Sequence, residues 1–259
     1  MTRNPISTAS VRDHCSHLEF DESLPEYKSI LLSEIDIRNI IVFRNQFFYI
    51  TDCQTFNNVF VHPNIIEIMG YEPESFKSLD FVYNCIHPDD RDFVLAFSNK
   101  AIQYSRLLLY KTTLIQNPKS FTFSIDFRML RKDKSYARLN RHSNSLILDK
   151  KGNLIYSISV FTDISHINHK KYLSWSWTGD PSGGFDIDDI IKDYILKRFT
   201  VREVEIIQLL AEGKEGKEIA DILRISHHTV TSHRRTILKK AGVNNSAELV
   251  KYGIEYGII

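Results

Sequence analysis

Long apolar runs are missing from this chain of 259 residues. The best candidates, Ile30 to Phe48 and Phe121 to Leu130, are broken by charges and fall short of the ~18 apolar residues that mark a membrane helix. Met1 to Cys15 is polar and holds no apolar signal core. Cysteine is scarce. Cys15, Cys53 and Cys85 are odd in number and widely spaced, with no C-x-x-C pair, which argues against a disulfide framework and for reduced thiols. A P-loop, an HExxH pair and a Ser-His-Asp context are all absent, and Asp89-Asp90 reads as the acidic first turn of a helix, not as an acid pair for catalysis. The βαβαβ receiver pattern with an acceptor aspartate is missing too, which speaks against phosphorelay control. An excess of one charge is also lacking: 33 basic side chains face 32 acidic ones, so the overall balance does not suggest nucleic acid. These absences predict a soluble, cytoplasmic protein that is no enzyme and carries no metal and no cofactor. Its length allows one large domain or two smaller ones, each with its own core.

Local patterning says more than the balance. Between Ser226, a good N-cap, and Gly242, suited to the left-handed position after a helix, the chain places Val230, Ile237 and Ala241 at helical spacing. His228, Thr231, Ser232, Arg235 and Lys239 form the opposite stripe, with Arg234 and Lys240 beside it and no carboxylate in the whole helix. A helix charged with one sign is suited to a polyanion, and phosphate backbone is the usual one. Upstream, Thr200 and Glu203 make a capping box for a helix with Val204, Ile207 and Ala211 inside, closed by Gly213. A short helix from Lys217 to Leu223 follows, and only Arg224-Ile225-Ser226 separates it from the basic helix, as in a helix-turn-helix.

Phe199-Thr200-Val201-Arg202-Glu203-Val204-Glu205-Ile206-Ile207, Leu210-Ala211-Glu212-Gly213, Lys217-Glu218-Ile219-Ala220, Ile225-Ser226, Thr229-Val230, His233-Arg234 and Gly242-Val243 resemble the LuxR-type (GerE-like) helix-turn-helix domain. The resemblance runs from about Phe199 to Val250. It implies four helices, a third helix in the major groove, and a fourth, about Ser246 to Tyr252, that supports dimerisation on DNA. It further implies phosphate contacts from Lys217 and Thr229, backbone-edge positions for His233 and Arg234, and base reading by Thr231, Ser232 and Arg235. Lys239 completes the basic stripe. For His233 a packing role against Ile237 stands beside the DNA role. The chain departs from the family twice: Thr231 stands where Lys is usual, and Glu215-Gly216 replaces Ser-Asn. The second departure should weaken the cap of the Lys217 helix and remove a phosphate contact.

The preceding half reads as two strands (Phe47 to Thr51, Phe56 to Val61), helical material over Pro63 to Met69 and Pro73 to Phe76, and a longer helix opened by His87-Pro88-Asp89-Asp90-Arg91. Three strands follow. The first alternates Phe121, Phe123, Ile125, Phe127 and Met129 with Thr122, Ser124, Asp126 and Arg128, the second spans Ser135 to Leu148, and the third spans Leu154 to Thr162 after the turn Asp149 to Asn153. This order is similar to a PAS domain, as are Asn64 to Phe76, Ile86-His87-Pro88-Asp89-Asp90-Arg91 and Phe161-Thr162-Asp163-Ile164-Ser165. The resemblance, over about residues 40 to 168, implies a sensing or dimerisation module without naming a ligand.

On the strand Ser135 to Leu148, Arg138, Asn140 and His142 share one face while Arg141 and Ser143 share the other. Buried polar groups need partners. Asn140 and His142 are therefore candidate pocket residues, unless their face is solvated or covered by another subunit. Cys85 near His87 lacks the context of a flavin-adduct or haem site. Both tryptophans lie in the segment Lys170 to Gly184, whose Gly, Pro and Ser mark a flexible join, and they are expected to dock on the sheet or on a partner subunit. Asp186 to Lys197 should form a lead-in helix.

The expected architecture is an α+β PAS domain, an antiparallel five-stranded sheet with flanking helices, followed by an all-α four-helix helix-turn-helix domain. The expected boundaries are an N-terminal arm and amphipathic helix over 1–39, the PAS domain over 40–168, linker and lead-in helix over 169–195, and the DNA-binding domain over 196–259. The amphipathic helix has two readings, packing and dimer contact. The expected partners are double-stranded DNA, a second copy of the chain, RNA polymerase as a further candidate, and an unknown PAS ligand or protein. No membrane partner is expected. A rival reading, a PAS adaptor whose helix-turn-helix has weak or lost DNA affinity, rests on Thr231 and Glu215.

Overall fold

The computed structural model describes residues 42–111, 122–149, 153–167, 173–178 and 188–259. The arm and amphipathic helix expected over 1–39, and the Gly/Pro/Ser cluster of the join, lie outside the described residues. The described residues up to Thr178 and those from Asp188 onward fall into two compact units.

The N-terminal unit orders its elements as β1 (Gln46–Asp52), β2 (Asn57–Val61), α1 (Ile65–Met69), a 3-10 turn (Pro73–Phe76), α2 (Leu79–Cys85), α3 (Pro88–Lys111), β3 (Thr122–Leu130), β4 (Tyr136–Leu148), β5 (Leu154–Asp163) and β6 (Ser174–Thr178). All strand pairs are antiparallel, in the order β2-β1-β5-β4-β3-β6. The alternation read in β3 is kept: Phe123, Ile125, Phe127 and Met129 are buried. Aromatic packing fixes the inner face, where Phe47 stacks on Phe161 at 4.8 Å and meets the ring edge of Phe76 at 6.4 Å. Gly70 ends α1 in the left-handed region at φ 76°, where a Cβ would lie 3.2 Å from that of Lys132. The short helix α2 was not read from the sequence. Its seven residues are too few for a period to show, and it is held by burial of Leu79, Val82, Tyr83 and Cys85.

His87 and the two acids after it serve the start of α3. His87 Nδ1 accepts the Asp89 N–H at 3.1 Å. Asp90 is buried and takes both Nε and Nη2 of Arg128, at 2.9 and 2.5 Å, which pins the helix to β3. Burial lifts the Cys85 thiol to about 11, so it stays protonated at neutral pH.

Among the described residues the sheet has six strands, not the five expected. Ser174-Trp175-Ser176-Trp177-Thr178, assigned on sequence to the linker, alternates as a strand does and pairs along β3 from Thr122↔Thr178 to Asp126↔Ser174. It covers an edge that β3 would otherwise leave open. The Trp175 ring packs 5.5 Å from Phe93 of α3, so this tryptophan docks within the sheet unit. The polar side of β3 is buried as well: Asp126 accepts from the Ser174 N–H and Oγ at 2.5 and 2.7 Å and pairs with Arg138 at 3.1 Å.

The C-terminal unit contains α4 (Asp188–Arg198), α5 (Val201–Ala211), α6 (Gly216–Leu223), α7 (His227–Ala241) and α8 (Ser246–Glu255). The four expected helices are α5 to α8, and the lead-in helix α4 packs against them in the same unit. Tyr194 stacks 5.8 Å from Tyr256, and Arg198 Nε donates to the Lys240 carbonyl at 2.7 Å, satisfying an orphan acceptor at the end of α7. The capping box at Thr200 and Glu203 is formed, and Ile206 and Ile207 of α5 are fully buried, whereas Val204 and Ala211 are half-buried. The last helix runs to Glu255, beyond the expected Tyr252, because Tyr252 and Tyr256 both point into the core and stack at 4.4 Å. No described helix is long and apolar enough to cross a membrane.

Candidate nucleic-acid interface

The turn between α6 and α7 is built from three residues. Arg224 adopts φ 51° and ψ 46°, and its N–H closes on the Ala220 and Asp221 carbonyls. Ile225 donates to Ala220 O at 3.0 Å. Ser226 then caps α7 by accepting the Thr229 N–H at 3.0 Å, and Gly242 closes that helix at φ 72°. Val230, Ile237 and Ala241 are fully buried, at about 1.5–3 kcal/mol for each large side chain, which fixes the rotation of α7 about its axis. A Cβ at Gly216 would lie 3.0 Å from His227 Nε2, so that glycine lets the start of α7 sit close to the start of α6. At the start of α6 the Glu218 carboxylate accepts the Glu215 N–H at 2.7 Å, which gives this end one side-chain contact of a capping box.

With that rotation fixed, Thr231, Ser232, Arg235 and Lys239 come together on the exposed side of α7, together with His228. Lys217 is exposed at the start of α6. Thr229, His233 and Arg234 are half-buried on the flanks. The hydroxyl of Thr231 donates back to the His227 carbonyl at 3.0 Å, and that of Thr229 lies 2.8 Å from Ser226 Oγ. Among the described residues, no ion pair engages Lys217, Arg235 or Lys239.

Two cations that the sequence places beside the stripe make contacts within the fold. Lys240 pairs with the buried Glu203 at 2.6 Å. Burial raises the Glu203 pKa, but the Lys240 contact and the hydrogen bonds from Thr200 outweigh it and hold the group below its usual value. Arg234 Nη2 donates to Ser246 Oγ at 2.7 Å and ties α7 to α8. The seam was not legible, because Glu203 lies 37 residues from Lys240.

The N-terminal unit has a half-open cavity of about 100 Å³ on the inner face of its sheet. Asn140 and His142, the candidate pocket residues, do not line it. They lie on the outer face, where Asn140 Nδ2 donates to Ser124 Oγ at 3.1 Å and His142 is exposed. Arg141 and Ser143 face the cavity instead. A strand period of two separates the faces but does not say which is inward; Phe127 and Phe161 decide that.

Residues 197–252 match the family model of bacterial regulatory proteins of the luxR family, and residues 58–161 match the PAS fold. Over 61 residues the chain is 46% identical to the response regulatory protein YgeK of Escherichia coli K12, covering 24% of this chain and 42% of that protein. Over 60 residues it is 38% identical to the transcriptional regulatory protein MctR of Rhizobium johnstonii, covering 23% and 28%. The chain thus spans 42% or less of the length of these curated relatives. Among solved structures, the phage VqmA–DPO complex is similar at 15% identity and a TM-score of 0.33, over 90% of this chain and 89% of that one.

Proposed function

We propose that this chain, with a PAS fold followed by a LuxR-type helix-turn-helix domain, is a cytoplasmic, sequence-specific DNA-binding transcriptional regulator and not an enzyme. The observation that supports it most is the outer stripe of α7. Thr231, Ser232, Arg235 and Lys239 are exposed together, and the two cations among them are in no ion pair with described residues. In this reading α7 enters the major groove, Thr231, Ser232 and Arg235 reach base edges, and Lys217, Thr229, His233, Arg234 and Lys239 meet the phosphate backbone. The luxR-family match over 197–252 and the resemblance to a transcriptional regulatory protein favour this role over that of an adaptor with lost DNA affinity.

Two copies pair and present their α7 helices to half-sites about one turn of DNA apart, so the operator is a palindrome. RNA polymerase is the further partner through which a bound dimer acts on transcription. The PAS domain receives a signal, from a ligand or a protein, that shifts the populations of DNA-competent and incompetent arrangements. The test is selection of duplexes from a random pool by the full chain at two salt concentrations. A palindromic site whose affinity falls steeply with salt is the expected result. Absence of enrichment at both salts, with the chain folded, would contradict it.

A further inference from the structure

Three arginines of the central strands β3 and β4 meet different surroundings. Arg128 is held by Asp90 and Arg138 by Asp126. Arg141 is buried about as deeply as Arg138, at 7% exposure, yet among the described residues no carboxylate pairs with it. Its Nη2 donates to Ser98 Oγ at 2.9 Å, and the Tyr49 hydroxyl lies close by. The guanidinium lies 5.6 Å from the centroid of the Phe127 ring, and its Nε has no hydrogen-bond partner among the described residues. A guanidinium keeps its proton at any physiological pH, and an uncompensated buried cation is strongly unfavourable.

Where the other two arginines have a carboxylate, Arg141 has the cavity. The same inner face that is closed by Phe161 and Leu139 opens two residues further along each strand: β5 continues to Ser159 and Ser157, and β4 to Arg141 and Ser143. Ser143 and Ser159 sit opposite each other with their hydroxyls 2.9 Å apart. Large side chains would fill this layer in a closed core; serines leave space and line it with hydroxyls. Phe56 and Phe123 supply apolar wall. Among the described lining residues Arg141 is the one cation, which matches a single negative charge better than a phosphate dianion.

We propose that this cavity binds a small organic monocarboxylate, whose carboxylate meets the Arg141 guanidinium and whose body rests against Phe56 and Phe123. The volume limits the ligand to a molecule of roughly ten heavy atoms or fewer. Its regulatory meaning rests on the function proposed above; the binding itself does not.

The test is thermal unfolding and calorimetric titration of the full chain with benzoate and propionate, against the neutral benzamide and propionamide. At least one acid should raise the unfolding midpoint in a concentration-dependent way and bind about tenfold or more tighter than its amide, the share of a charge-assisted hydrogen bond. Arg141→Met should abolish the response while raising the midpoint of the ligand-free protein, because it removes an unpaired buried charge. Ser159→Val, which fills the space but keeps the cation, should weaken the response with the fold intact. A cavity filled by water alone would show no response to any of the four compounds, and that result overturns the proposal. Equal binding of acid and amide, or an undiminished response in Arg141→Met, overturns it as well. Carboxylate binding without any duplex enrichment would contradict the regulatory reading alone, so the two failures are distinguishable.

Discussion

The inner flank and the outer stripe of α7 carry the same kind of side chain and use it in opposite ways. On the flank, Lys240 is bound to the buried Glu203 and Arg234 to Ser246, so both hold helices together. On the stripe, Arg235 and Lys239 are exposed and outside every ion pair of the described residues. The N-terminal unit extends the first pattern, with Arg138 on Asp126 at 5% and 3% side-chain exposure. A cation next to a buried carboxylate belongs to the fold, and its loss should be read in stability. A cation facing water on a fixed helix face leaves the fold unaffected when removed, and its loss should be read in binding.

Breaking a buried pair should have the largest effect. Asp126→Ala leaves Arg138 without its carboxylate and frees Ser174 of β6; urea unfolding should show a loss of about 3–5 kcal/mol in the N-terminal unit. Next comes Arg235→Ala, expected to cost about 1–3 kcal/mol in binding to the selected duplex and to relax preference at one base position, with stability unchanged within ~0.5 kcal/mol. A similar fall in stability would erase the contrast between flank and stripe.

Glu203→Gln keeps an acceptor for the cap but removes the charge facing Lys240, and should lower stability by about 1 kcal/mol or less at neutral pH. The folded pKa of Glu203 is depressed, so its contribution is present above the unfolded value of 4.5 and disappears as pH falls through the folded one. Denaturation curves of the two proteins should therefore converge in acid; a constant gap would assign the effect to the cap alone. The smallest effect concerns Arg224, exposed and left-handed at φ 51°. Arg224→Gly removes a surface cation and should raise the thermal midpoint by the equivalent of up to ~1 kcal/mol, whereas any loss of stability would mean that this cation also belongs to the fold.

Local chemistry was legible in the chain, and partners distant in sequence were not. Ser226, Thr200 with Glu203, and Gly242 act on neighbours three or four residues away, and each stands where the caps were expected. The apolar side of α7 was visible for the same reason, since Val230, Ile237 and Ala241 repeat with the helix. The role of Lys240 was hidden because the carboxylate that takes it comes from another helix. The sixth strand was hidden because glycine, proline and serine beyond Thr178 made its whole surroundings look like a join. The cavity lies on the other face of β4 from Asn140 and His142, for which a solvated face stands beside the pocket reading; the period of two paired Arg141 with Ser143 but did not mark their face as the inner one.

The most direct test of the division between flank and stripe is the salt dependence of duplex binding for Lys239→Ala and Lys240→Ala, measured beside their stabilities. Lys239→Ala should flatten the slope of log affinity against log salt by about one phosphate contact and leave unfolding unchanged. Lys240→Ala should destabilise the C-terminal unit and, under conditions where it is folded, keep the wild-type slope. Equal slopes lost in both variants, or a slope unaltered by Lys239→Ala, would contradict the account.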